Sequence, residues 1–289
     1  MILKNLLILI FASVFATLVQ AQKQTITLAD IYRDATFGSK SVRGLQSMND
    51  GLNYTALKGG SLVKFSYKTG EPIDTLVKAD EFGNEKITSL SNYEFSMDEK
   101  RIIFYINADY IYRHSFVADY YVWDFELKKL YPVSETGRER LATLSPDGKL
   151  VAFIRDNNLY ISDLSGNITP ITTDGVENQI INGAPDWVYE EEFGYSQAFE
   201  WSPDGSKIAW CRFDESHVKE YNLLNYKGLE PAIQENSLYP EVYKFKYPKA
   251  GEANSVVTVH FYDLKTKEKL TIDTGTETDR KSTRLNSSH

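Results

Sequence analysis

An all-β fold of repeated four-stranded antiparallel units is what this 289-residue sequence predicts, on three observations. First, the run Ser145-Pro146-Asp147-Gly148 recurs as Ser202-Pro203-Asp204-Gly205 and, in degraded form, as Ser96-Met97-Asp98-Glu99, at spacings of 57 and 49 residues. Proline sets φ at the second turn position, Asp accepts a local backbone bond and Gly takes the left-handed conformation, so each copy reads as a tight turn between antiparallel strands. Second, a strand-like apolar run follows each turn, at 101–106, 150–154 and 207–212. Third, a second repeated element stays in phase with the first, at 120–125, 159–164 and 257–264. A polar turn and a short apolar strand such as 168–172 come next. Residues 54–77 carry the same outline around 62–67. A β-sandwich would not repeat two motifs in phase. Four strands per unit at a period of about 40 to 60 residues are the mark of β-propeller blades, and the predicted architecture is a partial propeller of about four to five blades.

The elements at the two ends stand outside this pattern. Residues 1–21 read as a secretory signal peptide, with Lys4 in a short basic start, an apolar stretch from Leu6 to Val19 and a cleavage-like Val19-Gln20-Ala21. A membrane anchor is the alternative, but the stretch is shorter than the ~20 apolar residues that span a bilayer. The expectation is export to the periplasm or medium, with no membrane contact after removal. Residues 280–289 are polar apart from Leu285 and interrupt the fourth unit in mid-repeat, so they read as a non-native tail. Residues 22–279 are then an incomplete propeller. The fourth unit is stretched by an insertion at about 217–253, rich in Tyr, Asn, Lys and Pro, which predicts a protruding arm.

Composition narrows the function. Hydrophobic residues make up 42% of the chain and aromatic residues 13%, enough for a sizeable core. The formal net charge is −8, and removing both ends takes away Lys4, Arg280, Lys281 and Arg284 but no acid, leaving −12. That balance argues against nucleic acid or an anionic membrane as partner, since both need a basic face. The single cysteine, Cys211, excludes an internal disulfide, and the alternating pattern around it predicts a buried structural thiol. His114, His217, His260 and His289 form no metal-binding spacing, and neither a phosphate-cradling glycine loop nor a Gly-x-Ser-x-Gly elbow is present. No cofactor is expected.

The candidate site is the acidic run in Asp186-Trp187-Val188-Tyr189-Glu190-Glu191-Glu192. Adjacent carboxylates repel, so such a run is either a solvated patch or a socket for positive charge. On a strand, Glu191 and Glu192 would face opposite ways; a helical turn starting after Pro185, with Asp186 as cap, would let them converge. Acids in a first helical turn also complement the helix dipole, which is the alternative explanation for their presence.

This run, together with Trp201-Ser202-Pro203-Asp204-Gly205 and Tyr247-Pro248-Lys249-Ala250-Gly251, closely resembles the amino-terminal propeller of the dipeptidyl peptidase IV family, within the prolyl oligopeptidase-type serine peptidases. Arg113-His114-Ser115 matches a second motif of that propeller, and the resemblance runs from about Thr25 to Asp279. It implies an eight-bladed propeller capping an α/β-hydrolase domain, with the peptide substrate held between them. It also implies that Glu191 and Glu192 grip the substrate's free amino terminus while Arg113 contacts the carbonyl of the penultimate residue. An ammonium offers three donors, and each charge pair is worth up to about 4 kcal/mol at 4 Å and an effective dielectric near 20, before desolvation. On this basis the pair sets cleavage after two residues, releasing Xaa-Pro or Xaa-Ala dipeptides. Glu190 is expected to be structural, and Trp187 and Tyr189 to pack. The family's catalytic Ser, Asp and His lie in the hydrolase domain, so this chain is expected to bind but not to cut. The family also dimerises through an arm that 218–249 resembles, which implies a homodimer. Two alternatives stand beside this: a sibling peptidase of other length specificity, and a non-catalytic periplasmic propeller binding a protein partner, which needs the Ser-Pro-Asp-Gly turns but no paired acids.

Overall fold

The computed structural model describes residues 25–39, 41–42, 44–225 and 240–273. The signal-like residues 1–21, the tail 280–289 and the middle of the arm lie outside the described residues. The chain divides into two units, residues 1–42 and 43–289. In the first, helix α1 (Leu28–Tyr32) is closed by a capping box: Thr27 Oγ1 accepts the Asp30 N–H at 3.2 Å and Asp30 Oδ2 accepts the Thr27 N–H at 2.7 Å.

Among the described residues the second unit holds five antiparallel sheets, four of them successive in the chain and the fifth a two-stranded hairpin. The first contains β1 (Gln46–Ser47), β2 (Asn53–Lys58), β3 (Ser61–Ser66) and β4 (Pro72–Val77), and a 3₁₀ turn, Ala79–Phe82, follows it. The second contains β5 (Glu94–Phe95), β6 (Arg101–Tyr110), β7 (Phe116–Asp124) and β8 (Lys129–Pro132). The third contains β9 (Arg140–Leu144), β10 (Val151–Arg155), β11 (Asn158–Ser162) and β12 (Ile168–Pro170). In the fourth, β13 (Ile180–Asn182) and β14 (Phe199–Trp201) both pair with β15 (Lys207–Asp214), which is followed by β18 (Val256–Asp263) and β19 (Lys269–Ile272). Between β15 and β18 the insertion forms a separate hairpin of β16 (Glu220–Asn225) and β17 (Glu241–Lys246). The described residues are nearly all-β, in three four-stranded antiparallel sheets and a fourth whose first strand is split in two, and among them no sheet closes into a barrel.

The repeated turns form as their chemistry dictates. Ser145, Ser202 and Ser96 each donate their hydroxyl to the Asp two residues on, at 2.8, 2.6 and 2.6 Å. Gly148 and Gly205 sit at φ +68° and +69°, and Glu99 takes the same place at +56°. The degraded copy therefore keeps the turn while holding a Cβ in the left-handed region, at a cost of about 1 kcal/mol.

Packing explains the continuous apolar runs. Side chains alternate across a strand, so a strand covered on both faces must be apolar at every position. Ile102 and Phe104 pack with Leu62, Phe82 and Trp123, between the first and second sheets, whereas Ile103 packs with Val122, Val151 and Phe153, between the second and third. Ala152 and Ile154, on the other face of β10, join Phe199, Ile208, Trp210 and Phe213 of the fourth sheet. Face-to-face stacking of successive sheets is blade packing.

Two departures from the sequence expectation create the site. β6 runs four residues past its predicted end. A bulge between Ile106 and Asp109, with Asn107 at φ +54°, carries the β6–β7 hairpin on to the Tyr110–Phe116 pair, so that its tip is 111–115. The first strand of the fourth sheet is also broken in two. β13 pairs with 212–214 and β14 with 208–210, and the sixteen-residue excursion between them contains the second helix.

Candidate amino-terminus recognition site

Helix α2 spans Trp187–Phe193, so the acidic run is helical. Asp186 caps it, its Oδ1 accepting the Tyr189 N–H at 3.0 Å, and Gly194 ends it at φ +63°. Successive residues of a helix point about 100° apart, and the three acids consequently meet three environments.

Glu190 points inward and is fully buried. Its Oε1 accepts the main-chain N–H of Ser115 at 2.8 Å and of His114 at 3.0 Å, while its Oε2 has no hydrogen-bond partner. Glu191 lies at the boundary: Oε1 accepts the Arg113 N–H at 3.2 Å and Oε2 is 3.4 Å from Arg113 Nε. The Arg113 side chain is 73% exposed and that of Glu191 only 13%, so the guanidinium can leave while the carboxylate stays. Glu192 is exposed, makes no ion pair among the described residues, and helps line a cavity of about 390 Å³ with Trp187, Tyr247, Lys249 and Glu252. The structure thus joins Arg113 to Glu191 and places Glu192 one position on, toward the 247–254 loop.

The aromatic lead of the run packs, as expected. The Trp187 ring lies 4.7 Å from Tyr247 and 5.8 Å from Phe245, at the root of the arm; Tyr189 lies 5.1 Å from Phe213. Tyr112, next to Arg113, lies beside Tyr243 of β17, and burial pushes its hydroxyl well above the ordinary range. The arm root therefore touches both halves of the site. Cys211 is half-buried rather than buried; burial raises its thiol, and its neighbour is Tyr195. An unreactive thiol fits these surroundings.

Beneath α2 lies a group the sequence reading missed. The Glu215 carboxyl is pushed up to about 7, first by burial and next by the charge of Asp186, against the opposing pull of Lys246. Asp186 is itself raised by burial, although Ser255 Oγ donates to its Oδ2 at 2.5 Å. A raised carboxyl contributes stability in its neutral form, present below its ordinary value of 4.5 and lost as the pH climbs to about 7. Glu215→Gln should accordingly leave stability nearly unchanged at pH 4.5 and raise it by roughly 3 kcal/mol at pH 8. Urea unfolding of both forms at the two pH values checks this; a pH-independent difference would refute it. Spacing gave no hint of Glu215, because its acidity depends on burial and on Asp186 and Lys246, both distant from it in the chain. Glu190 did leave a trace, since it sits four residues after the buried Asp186 and so shares its helix face.

Residues 96–287 match the family described as the dipeptidyl peptidase IV (DPP IV) N-terminal region. The chain belongs to that family. Its fold is similar to the crystal structure of Porphyromonas gingivalis dipeptidyl peptidase 4, with a TM-score of 0.78 and 36% identity over 89% of this chain and 36% of that one. The "Probable dipeptidyl-aminopeptidase B" of Emericella nidulans is 40% identical over 195 residues, 64% of this chain and 21% of that protein. The "Probable dipeptidyl peptidase 4" of Aspergillus flavus is 36% identical over 236 residues, 80% of this chain and 29% of that protein. The chain therefore spans less than a third of these two curated relatives. The sheets described above are those of a DPP IV propeller region.

Proposed function

We propose that this chain is the substrate-gating propeller part of an exported serine dipeptidyl peptidase that releases Xaa-Pro or Xaa-Ala dipeptides from free peptide amino termini. The observation that carries the reading is the convergence of Arg113 and Glu191, 78 residues apart, with Glu192 exposed on the same helical turn. In the free chain the Arg113 guanidinium lies against Glu191, a place the substrate's ammonium would share or take. Displaced outward, Arg113 keeps its donors for a peptide carbonyl. Glu191 and Glu192 then accept the ammonium in charge-assisted bonds, which a peptide with a blocked amine cannot supply. The nucleophile, its base and the oxyanion donors belong to a hydrolase domain expected outside these residues, so the chain alone would bind without cutting.

The signal-like sequence of residues 1–21 supports the export part of this reading. The arm supports a homodimer: Leu223, Leu224, Val242 and Tyr243 are exposed on β16 and β17, and apolar residues on a protruding hairpin suit a self-complementary contact.

The full-length product of the native gene, assayed with a free-amine Xaa-Pro chromogenic peptide, tests the proposal. Turnover is expected, with a Gly-x-Ser-x-Gly elbow encoded downstream. No turnover, and a stop codon after closing blades, would replace it with a partner-binding propeller.

A further inference from the structure

We infer that Glu190 is a positioning residue for amino-terminus recognition, fixing where Arg113 emerges beside Glu191. The inference rests on the substrate reading above. Three consecutive main-chain amides, at 113, 114 and 115, donate to two consecutive carboxylates: Arg113 to Glu191, His114 and Ser115 to Glu190. The hairpin tip they belong to has been carried past its sheet by the Asn107 bulge. Its own closure rests on two bonds to the Ser115 carbonyl, from Ile111 N–H at 2.8 Å and Tyr112 N–H at 3.3 Å. Tyr243 lies beside Tyr112 on the arm side of the tip, and Glu190 holds the tip from the helix side.

The setting of Glu190 is a poor one for stability alone. A fully buried carboxylate with one unpartnered oxygen is a costly core group, and an apolar side chain of similar volume commonly serves a core at least as well. Its charge is countered by Arg140, whose guanidinium is depressed by burial and raised by Glu190. What an apolar residue could not do is accept two adjacent amides of the Arg113 loop. Because Glu190 and Glu191 are neighbours on one short helix, the carboxylate that holds the loop and the one that meets Arg113 keep a constant offset.

Reach and charge can be separated by two variants of the full-length protein. Glu190→Asp keeps the charge but withdraws the carboxylate by one methylene; Glu190→Gln loses the charge but keeps an acceptor at the same reach. With a free-amine Xaa-Pro substrate, and below the unfolding range of each form, Glu190→Asp should raise KM about tenfold with kcat within about twofold. Glu190→Gln should restore KM to within about threefold of wild type, even where its Tm is lower. A wild-type KM in Glu190→Asp, or a fall in kcat at constant KM, would overturn the inference. Should Glu190→Asp fail to fold, amide exchange in the wild type decides: slow exchange at His114 and Ser115 is expected, and exchange at the rate of an open loop contradicts it. Failure of the substrate reading shows separately, as wild-type cleavage of amino-acetylated peptide at the rate of the free one.

Discussion

In the full-length protein, Glu191→Ala combined with Glu192→Ala should lower kcat/KM for a free-amine Xaa-Pro substrate by about 10²–10⁴-fold, since hydrogen bonds to charged groups contribute about 1.5–3 kcal/mol each. The loss should fall on recognition and leave the fold in place. Glu192 is exposed and pairs with nothing described, and Glu191 gives up one main-chain bond and one contact with a mostly exposed guanidinium. Far-ultraviolet circular dichroism and Tm should therefore stay close to wild type while the kinetics collapse. Unchanged kinetics would remove both residues from the site. Collapse of fold and activity together would make the result one of stability. The single variants should be unequal: Glu191 holds the Arg113 loop in addition to its proposed role as an acceptor for the substrate's ammonium, so its loss should cost more than that of Glu192.

The largest stability effect lies elsewhere, at the pair between Arg155 of the third sheet and Glu139, which bridges to Ala118 of the second. Glu139 is fully buried; its Oε1 accepts Arg155 Nη2 at 2.6 Å and the Ser134 hydroxyl at 2.5 Å. The Arg155 guanidinium also lies 5.2 Å from the Phe153 ring and 5.9 Å from Tyr160. Arg155→Met keeps much of the stem's packing but strands a buried carboxylate, which typically costs about 3–5 kcal/mol. Adding Glu139→Gln should recover part of that loss, because the unpaired charge is then gone. Urea unfolding of the single and double variants measures both values. A loss below about 1 kcal/mol for Arg155→Met would mean that water reaches Glu139 and that the pair behaves as a surface one.

What the sequence made legible was local. The Ser-Pro-Asp-Gly turns depend on four adjacent residues, and all three copies fold as read, including the one with Glu99 where Gly is preferred. The runs at 101–106 and 150–154 announced strands because both of their faces are covered, and Asp186 announced the start of α2 by its capping oxygen. What stayed hidden was set by contacts between distant segments. The bulge at Asn107 lengthens β6 for a pairing that only β7 can complete, and the split of the fourth sheet's first strand into β13 and β14 reflects a shared partner, β15. The meeting of Arg113 with Glu191 across 78 residues could be anticipated only from the resemblance to the family. Glu190 was expected to be structural from its direction on the helix. Its burial agrees with that expectation, but its two bonds to the Arg113 loop could not be seen without the hairpin tip in place.

The central claim is that a free amino terminus is the handle by which substrate is held. The most direct measurement is the ratio of kcat/KM for one Xaa-Pro chromogenic peptide with a free amine and with an acetylated amine, on the wild-type full-length protein. A site built to receive an ammonium should reject the blocked peptide by about 10²–10⁴-fold, because the charge-assisted bonds to Glu191 and Glu192 are lost and the acetyl group must occupy the place of the ammonium. Comparable rates on the two peptides would contradict the account.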